Sequence, residues 1–345
     1  MKRAAITATG VGLTRNESGR RFPHTEDPAV LEDLRCEVVD LLTADEWERK
    51  WKVFELEALT EVETEHLVER GLMTPAFAEG TGEGRGFAVF GEGQASLEIN
   101  GVDHLRVLGF RDGDQLGSLW SLLNAVDDQL ETVLSYAFEP RWGYLSTRPR
   151  EAGSGMRAYV TLELPALMLT GRLAGVAVEL VGQGLGITPL WSGAGGVVQV
   201  SNVSSQGKPE IELLGQVSEV CEGIVERERS VRKVLLRENP IQSRDQIGRS
   251  LGTAQQAWSV SFLEAVNLVS AIQVGRQLGL VQGSGLSSES AFGLMTRLQP
   301  AHIVVDYMEG RTGSLESPEI DEQRAQILRQ VFGDSSVRPR ERRDV

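Results

Sequence analysis

The sequence predicts an α+β fold, an antiparallel sheet with flanking helices, followed by an all-helical domain. Two observations carry that reading. Short runs of alternating apolar and polar residues, separated by glycine-bearing turns, recur through the first two hundred residues. From about Ile211 the apolar residues return instead at helical spacing, almost to Val331. No internal repeat is present.

Taken in order, residues 4–9 open as a strand and run into Gly10-Val11-Gly12. Between Asp27 and Arg70, residues such as Leu31, Leu34, Val38 and Leu42 recur at helical spacing, so this charged region reads as helices. Residues 79–86 hold four glycines and read as a mobile loop. Strands follow at 86–90 and 94–99, where Ala95, Leu97 and Ile99 alternate with polar neighbours. Another at 104–110 leads into a helix that lines up Leu116, Leu119, Leu123, Val126 and Leu130 on one face. The turn Gly153-Ser154-Gly155 precedes a strand at 157–164, which Pro165 ends. A helix to about Val181, a strand from Leu185 and a tight turn at 193–196 lead to a strand at 197–201. The helical part breaks near Asn239-Pro240, at 283–288 and at Pro300, and the Arg-rich end reads as disordered.

Composition narrows the function. A net charge of −14 excludes a nucleic-acid binder, which needs a basic face, and disfavours an anionic membrane surface. The same charge works against ATP unless a local cluster of arginines overrides it. No apolar run approaches the length of a membrane span, and no signal-peptide core follows Lys2 and Arg3. Cys36 and Cys221 are too few for a disulfide framework or a zinc site, and read as buried thiols in a reducing compartment. A cytoplasmic protein without a metal site is expected.

Several segments, in order and at matching spacing, resemble the protein arginine kinases of the ATP:guanidino phosphotransferase family. They are residues 67–78, 99–106, 136–145, 153–167, 199–202 and 226–229, and together they span nearly the whole chain. The resemblance implies a guanidino-kinase catalytic-domain fold over residues 1–228, a helical C-terminal domain over 229–334 and a disordered tail over 335–345. It also implies transfer of the γ-phosphoryl group of ATP, with magnesium, to a guanidinium. As partners it implies a second copy bound through the C-terminal domain, or an active arginine kinase or its adaptor.

Residue by residue, much of the family's machinery is altered. The base position is Val102, next to Gly101, and valine accepts no proton. Two phosphate-clamp arginines are Gly10 and Gly12, and another is Thr188; Arg15, Arg106 and Arg157 remain and are expected to point into the phosphate cleft. Arg148 stands at the family's cysteine and Gly71 at its adenine-side histidine. Of the phosphoarginine-sensing pair, only Asp321 is left. Each charge-assisted hydrogen bond contributes about 1.5–3 kcal/mol. Three lost arginines then cost roughly 5–9 kcal/mol, or about three to six orders of magnitude in ATP affinity. A lost base removes about another 10²–10⁴ in rate. The expectation is a pseudokinase that holds ATP and magnesium weakly if at all, and a smaller anion in their place.

Alternatives stay open. Asp103 and His104 read either as a surviving acid–base pair or as a hydrogen-bonded structural pair at a strand turn. Glu98 or Glu151 is a substitute base if either reaches the guanidinium, which would make the chain an active arginine kinase. The Gly153–Gly155 turn is a phosphate cradle or simply a turn. A binding module for arginine or phosphoarginine, without turnover, is a third reading.

Overall fold

The computed structural model describes residues 5–44, 50–238, 240–283, 290–308 and 314–338. Ten strands occur in the first two-thirds of the chain: β1 (Ile6–Arg15), β2 (Trp51–Phe54), β3 (Gly86–Phe90), β4 (Ala95–Ile99), β5 (Leu105–Asp112), β6 (Phe138–Glu139), β7 (Gly143–Tyr144), β8 (Met156–Glu163), β9 (Leu185–Pro189) and β10 (Val197–Asn202). All but the small β6–β7 hairpin join one antiparallel sheet, in the order β2-β3-β4-β5-β1-β8-β10-β9. Around it lie α1 (Pro28–Thr43), α2 (Glu61–Glu69), α3 (Pro75–Ala78), α4 (Leu116–Glu131), α5 (Pro165–Leu169), α6 (Leu173–Gly182) and α7 (Glu210–Glu238). The α+β fold read from the sequence is the one observed.

Strand alternation decides what each face of the sheet carries. On β1, Val11 and Leu13 join Val107, Ala158, Val160 and the buried face of α4 (Leu119, Leu123, Val126) in the main core. The intervening residues, Gly10, Gly12 and Thr14, face the other way. Register sets Gly12 opposite Arg157 and Thr14 opposite Arg106, and sets Glu98 opposite Arg106. One face is therefore a core, and the other brings together Glu98, Arg106 and Arg157.

The C-terminal region is built from α8 (Pro240–Gln256), α9 (Phe262–Gln277), β11 (Val281–Gln282), α10 (Ala291–Arg297), α11 (Pro300–Tyr307), α12 (Pro318–Phe332) and β12 (Ser336–Val337). Its core holds Ile247, Leu251, Val266, Leu268, Val269, Ile272 and Leu280 of the apolar residues at helical spacing, joined by Leu328. Phe110 of the sheet and Trp191 of the loop after β9 reach into it, with ring centroids 6.5 and 5.8 Å from Phe292. A carboxylate makes the second link. Glu69, at the end of α2, accepts from the Ala301 and His302 amides at 2.9 Å and meets the His302 ring at 2.7 Å, capping α11 from across the molecule. Glu69→Ala should cost about 1–2 kcal/mol, the loss of a helix cap. Urea unfolding of the two proteins side by side measures it.

Several expectations are corrected. The stretch 27–70 is not helical throughout: Trp51–Phe54 is an edge strand whose Trp51 ring packs 5.3 Å from Phe90. Cys36 is exposed, because it lies on the outer side of α1, whereas Cys221 is buried as expected. The end of the chain is ordered further than expected, since Ser336–Val337 pairs with Val281–Gln282; residues 339–345 lie outside those described. Residue 228 falls inside the continuous helix α7. Gly84, in the stretch expected to be mobile, packs against α1, where an added Cβ would stand 2.8 Å from the Leu31 and Glu32 backbone.

Candidate functional site

The polar face of the sheet opens into a cleft of about 330 Å³, lined by Phe77, Glu98, Gly101, Val102, Asp103, Arg106, Arg148 and Arg157 with their neighbours. A second cavity of about 210 Å³ shares Arg157 with Glu151, Thr188 and Ser201. The segments 100–106 and 153–157, far apart in sequence, thus meet at one place.

The β4–β5 turn carries the first of them. Asn100 adopts φ +53°, a left-handed conformation asparagine tolerates, and its side-chain amide donates to the Leu31 and Gly84 carbonyls. The Asn100 amide bonds the His104 carbonyl at 2.7 Å, which closes the turn and fixes Gly101 and Val102 at the cleft wall. Asp103 is held through its Oδ1, while its Oδ2 takes only the Ser146 hydroxyl, at 3.4 Å. It accepts from Asn16 and the Thr147 amide at 2.7 Å each, and from the Ser146 hydroxyl at 3.2 Å. His104 turns away from the cleft and is buried; its Nδ1 accepts from the Glu17 amide. Burial, and then the Arg20 charge, lower its pKa and keep it neutral. Asp103 lines the cleft and His104 does not, and no hydrogen bond between the two side chains is seen among the described residues.

Arg106 and Arg157 do project into the cleft. The Arg106 Nε is buried without a hydrogen-bond partner, and Arg157 reaches only the Ser201 hydroxyl, at 3.4 Å. Arg157 is open to the cleft's solvent, yet enclosure and then the neighbouring Arg106 charge lower its pKa. Two guanidiniums that repel one another, with few acceptors of their own, make an anion-seeking wall. Arg148 also lines the cleft, but pairs with Glu151 at 3.2 Å. Glu98 is buried and accepts from the Thr74 amide at 2.6 Å, and burial raises its pKa.

Other predicted positions lie elsewhere. Arg15 does not point into the cleft. As an odd-numbered residue of β1 it shares the core side with Val11 and Leu13, where it meets Asp127 of α4 at 2.6 Å. Gly71 ends α2 in a left-handed conformation, φ +68°, with Phe110 over its Cα, and does not line the cleft. In the Gly153–Gly155 turn, Gly153 donates to the Tyr144 carbonyl and Ser154 to the Ser205 carbonyl, so two of its three amides are used within the fold. Asp321 is tied to Arg324 within α12, and the preceding Ile320 is core. Thr188 lines the second cavity.

Sequence reasoning missed Tyr159. It lies opposite Gly10 in register, and its ring lies across that glycine: a Cβ added at position 10 would stand 2.0 Å from Cζ. Phe77 does the same more loosely at Gly101, 3.0 Å from the corresponding point. The signal was present, since each aromatic faces a position where the resemblance expects a long side chain and the chain has glycine.

Comparison with known proteins places these features. Residues 34–231 match the family described as ATP:guanido phosphotransferase, C-terminal catalytic domain. Residues 240–343 match the family described as Protein-arginine kinase McsB C-terminal domain. A protein-arginine kinase of Halothermothrix orenii is 32% identical over 334 residues, 95% of this chain and 93% of the relative. That of Moorella thermoacetica is 30% identical over 335 residues, with the same two coverages. In fold, the chain is similar to a lombricine kinase, with a TM-score of 0.57 at 18% identity over 66% of this chain and 67% of that one.

Proposed function

The chain belongs to the ATP:guanido phosphotransferase family, with protein-arginine kinases as relatives, and from that premise we propose that it is a non-catalytic member. It acts as a pseudokinase in the cytoplasm: a scaffold, dimer partner or regulator in arginine phosphorylation. Its partner is a second copy, bound through the C-terminal helices, or an active arginine kinase or that kinase's adaptor.

One observation carries the reading. A guanidinium is protonated and nucleophilic only once a base aligns it and takes a proton. At the base position stands Val102, and the carboxylates nearby are engaged: Asp103 with three donors, Glu98 with the Thr74 amide and Glu151 with Arg148. Phe77 holds the space beside Gly101. The residues present fit ATP and magnesium no better. Tyr159 lies across the place of one lost arginine, and Arg106 and Arg157 alone remain of the clamp. Among the described residues no group of three His, Cys, Asp or Glu stands ready for a metal. Nor, among them, is any helix long and apolar enough to cross a membrane.

The test is incubation with labelled ATP, magnesium and an arginine-rich protein. No acid-labile phosphate is expected above the protein-free blank. Val102→Glu alone should stay at the blank, because Gly10 and Gly12 still lack the clamp. A second reading rests on Glu98, which lines the same cleft and whose raised pKa suits a proton acceptor nearer neutrality. Turnover by the intact chain that disappears in Glu98→Gln would favour that reading and remove the first.

A further inference from the structure

Two of the chain's four histidines lie against each other where the sheet region meets the C-terminal helices. His66 comes from α2 and His302 from the first turn of α11; their ring centroids stand 4.6 Å apart, with the planes at 82°. Glu69 joins the same two helices. An ionised carboxylate only accepts, so the His302 Nδ1 that meets Glu69 at 2.7 Å carries a hydrogen, and the Ala301 and His302 amides take up both carboxylate oxygens. The contact is enclosed: the His302 side chain is 12% exposed, that of Glu69 4%, and His66 is half-buried.

From this arrangement we infer that the α2–α11 contact is a proton-operated latch, closed while His66 is neutral and loosened when a proton on His66 sets a second imidazolium against His302. The charges acting on His66 come from Glu69 and Arg70 of α2 and from His302 and Asp306 of α11. Glu65, beside it, is itself crowded by Glu61, Glu69 and Glu79, and Glu69 also faces Arg324 of α12. Glu69, the acid best placed to balance a new cation, is already committed to the α11 amides and to His302. Enclosure, then the His302 and Arg70 charges, lower the His66 pKa, and Asp306 and Glu69 oppose them only in part. Held below its ordinary value of 6.5, His66 keeps the latch fully closed above pH 6.5 and loses that stabilisation as pH falls through the lowered value. Opening frees the first-turn amides of α11. It also loosens Gln299, the N-cap of that helix, whose side chain accepts from the Trp191 ring at 3.2 Å, so both crossings between sheet and C-terminal helices feel the proton. The latch uses no residue of the cleft and operates whether or not the chain transfers phosphate.

Amide hydrogen exchange on the full chain tests this at pH 7.5, 6.5 and 5.5, with labelling times scaled for the pH dependence of intrinsic exchange. Protection of α11 should fall about fivefold or more between pH 7.5 and 5.5, the factor set by two unit charges some 4 Å apart in water, while the core helix α4 keeps its protection. His66→Phe keeps a ring that takes no proton, and should leave α11 equally protected at all three values. His66→Gln serves the same purpose, with circular dichroism and the thermal midpoint confirming that each variant folds. His66→Arg fixes a cation at the latch and should lower α11 protection already at pH 7.5. Unchanged α11 protection in the intact chain, a His66→Phe or His66→Gln variant that loosens as much as the intact chain, or α4 and α11 losing protection together would each overturn the inference.

Discussion

Replacing Arg15 with alanine is expected to destabilise the protein by about 3–5 kcal/mol, the cost of leaving a buried charge without its partner. The side chain is 2% exposed, and every part of its guanidinium is used. Nε and Nη2 donate to the same oxygen of Asp127, at 3.1 and 2.6 Å, and Nη1 donates to the Thr14 and Ser154 carbonyls at 2.9 Å. The Tyr144 ring lies 3.7 Å beneath it. Truncation strands Asp127, whose second oxygen already has no partner, within the main core. Against a total of about 5–15 kcal/mol for a typical domain, this is a large fraction. Chemical denaturation at neutral pH measures it. Arg15→Lys should recover only part, since an ammonium cannot make the same fork of bonds. A loss under about 1 kcal/mol would mean that the pair is not the anchor described here.

The second large effect depends on pH. Glu163, at the end of β8, is buried, and its Oε1 has no hydrogen-bond partner. Burial pushes its carboxyl up to about 7; Arg232 opposes that and the Glu228 charge adds to it. Below its ordinary value of 4.5 the group is protonated in both folded and unfolded chains and contributes no difference. As pH rises from there toward 7, the unfolded chain loses the proton and the folded one keeps it, so stability falls; above about 7 no further change follows. Over that window the loss is on the order of 3 kcal/mol. Glu163→Gln removes the titrating group. Its unfolding free energy relative to the intact chain should therefore improve by about 2–3 kcal/mol between pH 5 and pH 8. A difference that stays flat across that range would show that Glu163 ionises freely in the fold.

The sheet was legible because alternation and glycine turns leave a local trace, and so was the placing of Arg106 and Arg157, each set in register beside β1. Arg15 was misread for a reason the strand itself supplies. Its parity matches Val11 and Leu13, so it belongs to the core side, and matching it to a motif position hid that. Trp51–Phe54 was absorbed into a helical region because four residues are too few to show a period against charged flanks. Glu69, Glu163 and Glu228 lie within the segments that carry the resemblance, yet the sequence assigned them no structural role. Glu69 and Glu228 each meet a distant helix end, and contacts of that kind leave no mark on neighbouring sequence. Glu228, for instance, accepts from the Ala166 and Leu167 amides of α5, more than sixty residues away along the chain.

The ring of Tyr159 across Gly10 also bears on how such a chain changes over generations. Positions 10 and 159 share one volume, and in the present rotamer only one of them can fill it. Inheritance at either is therefore conditional on the other. A substitution that puts a side chain at 10 meets an aromatic ring and must push it aside, while one that first shortens 159 clears the path. The two changes are epistatic, and their order decides which is tolerated. With the tyrosine in place, a side chain at 10 is accommodated only once the ring has moved.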